Sequence, residues 1–267
     1  MPKLLTNIVD GVATVTLNRA ERANALDLDA WHDLRRAFLD IDGRSDVRAV
    51  VLCGAGDNFC AGIDLSLLGS LMRQESDCAS RRSEALEAFI LDLQDAVTSI
   101  ESCRKPVIAA IQGACFGGGV DIACAADIRL AVENTRFCVK EIDMAVIADL
   151  GVIQRLPRIV GEGRARELIL SARVFDGAEA ERIGFVTHAC PDAASLECAA
   201  QKISRNLAAK SPVAMRGTKE SLNLSRDRSV AEGLAHVALL NASRLLSTDF
   251  QEALSSQKER RTPVFRD

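Results

Sequence analysis

Residues 105–121 read Lys-Pro-Val-Ile-Ala-Ala-Ile-Gln-Gly-Ala-Cys-Phe-Gly-Gly-Gly-Val-Asp. Pro106 to Ile111 is a compact apolar run behind a proline, the pattern of a strand buried on both faces. The glycines at 117, 118 and 119 carry no Cβ, so another chain or a ligand can approach the backbone closely. A helix is expected directly after them, and the N–H groups at a helix start carry a positive partial charge suited to a developing oxyanion. A second loop, Phe59-Cys60-Ala61-Gly62-Ile63-Asp64, follows the apolar strand Arg48–Cys53 and could add a donor from Ile63. Paired donors of this kind commonly contribute about 10²- to 10³-fold each in rate. The same glycines equally suit tight turns or close helix packing, so composition leaves both readings open.

Working outward, strands and helices alternate as far as Cys190. Asp10-Gly11 lies between β-branched runs, a primed-turn hairpin signal. Leu28, Trp31, Leu34, Phe38 and Ile41 recur at helical spacing, with Asp27 placed as N-cap and Gly43 just past the end. Leu86, Phe89, Ile90, Leu93, Val97 and Ile100 mark one apolar side of a second helix. Short strands are expected at Ile128–Val132 and Phe137–Val139, and helices near Gly161–Leu170 and Ala178–Ile183. Beyond them the pattern is wholly helical: Leu196–Ala208, Pro212–Leu224, Val230–Leu246 and Phe250–Lys258. Ser211-Pro212 supplies a cap and a proline at the first helical position. The expectation is an α/β core over residues 1–195 and a helical region over 196–267.

Composition narrows the function classes. The 267 residues are 48% hydrophobic and 26% charged, enough for one large core or two modest ones. A net charge of -4 offers no broad basic face, and 4% aromatic residues with no Tyr offer no stacking platform, so nucleic acid is not expected as a partner. The longest charge-free stretch, Pro106–Val120, is too short and glycine-rich to cross a bilayer. Asp10 interrupts the apolar run after Lys3, so no signal-peptide core is expected and the location is read as cytoplasmic. The 9 cysteines are an odd, scattered set without a Cys-x-x-Cys pair, and Cys53, Cys115, Cys124 and Cys138 lie in apolar stretches, as reduced, buried thiols would. His32, His188 and His236 have no ligand partner at helical spacing, so no metal site is expected. Gly54-Ala55-Gly56 fails the dinucleotide fingerprint at Phe59, and neither a phosphate loop nor a nucleophile elbow is present.

Three acids stand out by context. Asp121 comes two residues after the last of the glycines, Glu141 follows a short strand, and Asp149 interrupts the apolar stretch Met144–Ile153. Each also has a structural alternative: Asp121 at the positive end of a helix, Asp149 as cap of a helix entering Gly151–Leu156, Glu141 exposed beside Lys140. Asp143 is assigned a structural role.

Nearly the whole chain resembles the enoyl-CoA hydratase/isomerase (crotonase) family. The likeness is carried by Asn24-Ala25-Leu26, residues 59–64, Lys105–Ala110 with Gly117–Gly119, Ala126-Asp127-Ile128-Arg129, Gln154-Arg155-Leu156-Pro157 and Lys210–Ala214. It implies an α/β spiral of ββα units with a C-terminal helical region used to form a homotrimer or a dimer of trimers. It further implies a coenzyme A thioester as substrate, its oxygen held by the N–H groups of Ile63 and Gly118, with Asn24, Ala25, Leu26 and Ala61 touching the carrier. Hydratases of the family carry Glu where this chain has Asp121 and a small residue where it has Asp149. Asp121, Glu141 and Asp149 together look like the family's dienoyl-CoA isomerase branch, which acts in fatty-acid β-oxidation.

The chemistry gives this triad a reason. Moving a 3,5-dienoyl thioester to its 2,4-isomer removes a proton from C2 and adds one at C6, roughly 5 Å away. One carboxylate does not easily serve both ends, so Glu141 is expected as base at C2 and Asp149 as acid at C6, with Asp121 as neighbouring charge or orienting group. No metal or redox cofactor is needed. The competing expectations are hydration of a 2-enoyl thioester and a non-catalytic acyl-CoA binder.

Overall fold

The computed structural model describes residues 2–72 and 78–266. Asp10 and Gly11 have φ of 50° and 76°, the positive values a primed hairpin turn requires, and they join β1 (Leu4–Val9) to β2 (Val12–Leu17). Asp27 accepts from the Ala30 N–H to start α1 (Leu28–Gly43), whose buried Trp31, Leu34, Phe38 and Ile41 form the expected stripe. Gly43 is the last helical residue instead of lying past the end, and Arg44 takes the cap. β3 (Ala49–Gly54) is followed by α2 (Leu65–Met72) and α3 (Ala79–Ser102).

The segment 106–121 forms β4 (Val107–Ile111), β5 (Ala114–Phe116) and α4 (Gly118–Ala125) in succession. β6 (Ile128–Val132) and β7 (Arg136–Cys138) repeat the step. Then come α5 (Val152–Val160), α6 (Glu162–Ser171), β8 (Phe175–Asp176), α7 (Gly177–Arg182) and β9 (His188–Cys190). The chain finishes with α8 (Ala193–Ala208), α9 (Pro212–Leu224), α10 (Val230–Arg244) and α11 (Thr248–Glu259).

The strands make a six-stranded sheet in order β1-β2-β3-β4-β6-β9 and a three-stranded sheet β5-β7-β8. Only β1–β2 and β7–β8 pair antiparallel. From β4 to β7 successive strands alternate between the sheets, β4 and β6 in the large one and β5 and β7 in the small one, as in the expected spiral. Side chains alternate across the large sheet: Val50, Leu52, Val107, Ala109 and Ile111 face the main core, while Val51, Ile108, Ala110 and Leu130 face the other side. That second side is covered by Leu196 and Ala200 of α8, so packing on the sheet continues past residue 195. Further on, Lys219 of α9 is buried and ties the helical region to the core, donating to Asp127 at 2.6 Å and to the Lys105 carbonyl at 2.9 Å.

α3 explains how a core stripe becomes a cavity wall. Its 24 residues reach about 36 Å, more than the core it packs against. Leu93, Val97 and Ile100 are buried, whereas Leu86, Phe89 and Ile90 in the preceding turns stay half-buried.

At Gly119 a Cβ would stand 2.5 Å from the Cys60 carbonyl oxygen, backbone against backbone. Gly119→Ala is expected to destabilise the protein by about 1–3 kcal/mol through overpacking. Denaturant unfolding measures this, and an unchanged midpoint would mean the two loops separate without cost.

Candidate active site

The two glycine-containing loops meet through their main chains. Cys60 bridges Cys115 in parallel fashion, its N–H donating to Ala114 at 3.0 Å and its carbonyl accepting from Phe116 at 2.9 Å. A Cβ on Gly62 would lie 2.7 Å from the Phe116 oxygen and 3.1 Å from the Gly118 nitrogen. Residue 62 must therefore be glycine for residues 63 and 118 to sit side by side. Leu26 donates to Gly62 at 2.8 Å and accepts from Asp64 at 2.9 Å, which turns the N–H of Ile63 to the opposite side. The Gly118 N–H opens α4 and has no intrahelical acceptor. Among the described residues neither N–H donates to another protein group. Gly117, at φ 49° and ψ -122°, makes the turn into this helix, and buried Trp31 lies 3.2 Å from where a Gly118 Cβ would be.

Both amides open onto a cavity of about 550 Å³ whose lining includes Ala25, Ala61, Ile63, Gly118, Glu141 and Asp149. Leu86, Phe89, Ile90 and Leu93 of α3 give it an apolar lining, to which Met144, Val146 and Ile147 add. Asn24 and Leu26 do not line it. Asn24 is 1% exposed with its amide spent inside the protein: it accepts from Arg19 at 2.9 Å and donates to the carbonyls of Ala55 and Asn58 at 2.9 and 2.7 Å. Its place is beneath the cavity floor, holding the two loops together, and Leu26 packs in the core beside it.

The three acids divide in the same way. Glu141 begins a short 3-10 turn after β7, and its Oε1 lies 3.2 Å from the Cβ position of Gly117, beside the amide pair. Its Oε2 is buried without a partner. Burial raises its pKa, with the charge of Asp149 adding to the shift. Asp149 also lines the cavity; its residue is exposed, yet partial desolvation raises its carboxyl too. It caps no helix: Gly151 is the N-cap of α5. The first N–H of that helix, from Val152, donates instead to Asp121 Oδ1 at 2.6 Å. Asp121 is 1% exposed, does not line the cavity, and leaves Oδ2 without a partner. Burial and then the nearby Glu141 charge push its pKa up to about 8, against the opposing Val152 hydrogen bond. Asp143 pairs with Lys140 at the surface.

Among the described residues no group of three His, Cys, Asp or Glu side chains is arranged to hold a metal ion. The apolar cavity wall from α3 lay hidden in sequence because its periodicity is that of an ordinary core stripe. The support for Asp149 was also hidden: Gln94 donates to the Asp149 carbonyl at 2.7 Å from 55 residues away.

A family model described as enoyl-CoA hydratase/isomerase matches residues 7–267. The chain belongs to the enoyl-CoA hydratase/isomerase family. Within it, the chain is 44% identical over 261 residues to the peroxisomal Delta(3,5)-Delta(2,4)-dienoyl-CoA isomerase of Arabidopsis thaliana, covering 97% of this chain and 94% of that one. It is 40% identical to the mitochondrial Delta(3,5)-Delta(2,4)-dienoyl-CoA isomerase of Mus musculus, covering 96% and 79%. Among solved structures, an enoyl-CoA hydratase from Bacillus anthracis superposes with a TM-score of 0.91 at 30% identity, covering 99% of each chain.

Asp121 gives a stability prediction with a definite sign. Between its ordinary value of 3.8 and about 8 only the unfolded chain ionises there, so this site lowers native stability as pH rises through that window. Asn keeps an oxygen for the Val152 N–H but cannot ionise. Asp121→Asn is expected to flatten the fall of Tm across the window, with the largest gain at its upper end. Thermal unfolding at stepped pH reads this, and an unaltered slope would place the titration on another group.

Proposed function

We propose that the chain is a Delta(3,5)-Delta(2,4)-dienoyl-CoA isomerase, converting 3,5-dienoyl-CoA to 2,4-dienoyl-CoA in fatty-acid β-oxidation. One observation carries the reading: two separate carboxyls, Glu141 and Asp149, line the same apolar cavity as the two unpaired amides. The thioester oxygen accepts from Ile63 and Gly118, which stabilises the dienolate as charge moves onto it. Glu141, beside that amide pair, removes the C2 proton. Asp149, further along the wall, gives a proton to C6. The raised pKa of Asp149 suits an acid that must still carry its proton, and that of Glu141 makes it a stronger base once ionised. The residues supply all of this chemistry without a cofactor, the coenzyme A thioester being substrate.

Hydration of a 2-enoyl thioester needs two acids around one water. Asp121, the second acid by position, is turned away into a bond with α5 and is absent from the cavity wall, which favours isomerisation. Asp121 is read as a positioning group between α4 and α5.

The proposal extends to assembly and location. Val230, Leu239 and Leu246 on and after α10 are 81%, 77% and 84% exposed, apolar surface suited to the homotrimer or dimer of trimers that the family resemblance implies. Light scattering on the purified protein would test this, a monomer counting against it. A cytoplasmic location is proposed from the sequence, while relatives are named peroxisomal and mitochondrial. Among the described residues no helix is long and apolar enough to cross a membrane.

With 3,5-dienoyl-CoA, long-wavelength ultraviolet absorbance should grow as the extended conjugated product forms. Glu141→Gln and Asp149→Asn are each expected to lower kcat by about 10²- to 10⁴-fold while acyl-CoA still binds. Full turnover in either variant would remove that side chain from the mechanism. The wild-type rate should be bell-shaped in pH, falling on the acid side as Glu141 protonates and on the alkaline side as Asp149 ionises. Both limbs should lie above the usual carboxylate range, with apparent values belonging to the coupled cluster. A profile flat through that range would exclude this pair as acid and base.

A further inference from the structure

Each turnover leaves the enzyme in the wrong protonation state. The C2–H bond breaks and its proton goes to the Glu141 carboxylate; a C6–H bond forms with the proton of Asp149. Before the next substrate, Glu141 must lose a proton and Asp149 must gain one, a net exchange of zero. Where Asp149 draws its proton from is therefore part of the mechanism.

Asp149 and Leu150 belong to two cavities at once. On one side is the apolar substrate cavity. On the other is a chamber of about 810 Å³ between α3 and α5, lined among others by Gln94, Thr98, Gln154 and Arg158. Each arginine around it has a carboxylate partner: Arg155 pairs with Glu101 at 2.8 Å, Arg226 shares the same carboxylate, and Arg158 pairs with Asp227 at 2.7 Å. A polar chamber whose described arginines are all engaged in ion pairs suits water. Arg158 and Asp227 at its edge are exposed, so it opens to solvent. The substrate cavity, by contrast, is walled mainly by apolar side chains, Leu86, Phe89, Ile90 and Ile147 among them.

We propose that this chamber is a back entrance for protons, through which water reprotonates Asp149 independently of the substrate mouth. The inference rests on the isomerase reading with Asp149 as the C6 acid. It makes resetting of the free enzyme a separate kinetic step. A block in the chamber slows that step alone, after product has left, so kcat falls while kcat/KM, which ends before it, does not.

The test fills the chamber from its rim with Gln154→Trp and, separately, Arg158→Trp, in the full-length protein with 3,5-dienoyl-CoA. The expected result is kcat lower by about tenfold, kcat/KM unchanged, and product inhibition turning noncompetitive as product binds the unreset enzyme. Unchanged kcat in folded variants would overturn the inference, because Asp149 would then be served through the substrate mouth. A parallel fall of kcat and kcat/KM would overturn it too, by assigning the chamber to shaping Asp149. Wild-type enzyme without isomerase activity would defeat the functional reading itself, a different outcome from either.

Discussion

The site depends on two stretches of main chain pressed together without side chains between them. Residues 60–62 and 115–119 approach so closely that a single Cβ on Gly62 or Gly119 would collide with backbone oxygen. That contact sets the Ile63 and Gly118 amides side by side, and hydrogen bonds at 2.9–3.0 Å lock it. Asn24 adds the clamp from below, joining three backbone groups with one buried amide. Trp31, under α4, fills the space that three successive small residues leave. An oxyanion site works only if its donors are fixed before charge develops, and a backbone pair held this way has little freedom to reorganise.

A buried carboxyl is the second constraint. Asp121 in the first turn of α4 accepts from the first N–H of α5, so one side chain joins the helix that bears an oxyanion donor to the helix that follows Asp149. Burying it is costly, as its raised pKa shows. What it provides is registry: the Asp149–Gly151 turn is held from the α4 side by Asp121 and from the α3 side by Gln94. Arg155 closes the turn from the chamber side, donating to the Leu150 carbonyl at 3.2 Å. The acid assigned to C6 thus stands on a loop fixed at three points.

Burial also separates the roles of chemically similar groups. All three carboxyls are raised, but Asp121 is fully enclosed, Glu141 partly buried, and Asp149 exposed where two cavities meet. Mutual repulsion discourages all three from ionising together, which keeps a proton within the cluster near neutral pH. Two carboxyls of raised pKa thus line one cavity, the arrangement that the proposed acid and base pair needs.

Local pattern determined much of the architecture. The Asp10-Gly11 turn, the Asp27 and Ser211 caps, the α1 stripe and the buried β4 strand all rest on interactions within a few residues, and each was legible. Glu141, Asp149 and the two amide-bearing loops stood out by context, but the roles expected of them came from the family resemblance, since context alone left structural readings open. What stayed hidden is non-local. The three-residue strand β5 carries no periodicity of its own and exists because β7 pairs with it; Leu86, Phe89 and Ile90 look like core in one dimension and become cavity wall because α3 outruns the sheet. Asn24 and Leu26, expected to touch the carrier, are buried outside the cavity lining, and Asp121 accepts from α5. Sequence supplies the kinds of groups and their local conformation; which face of a group meets water, substrate or another helix is set only when distant segments pack, since burial and backbone approach depend on neighbours the local pattern does not contain.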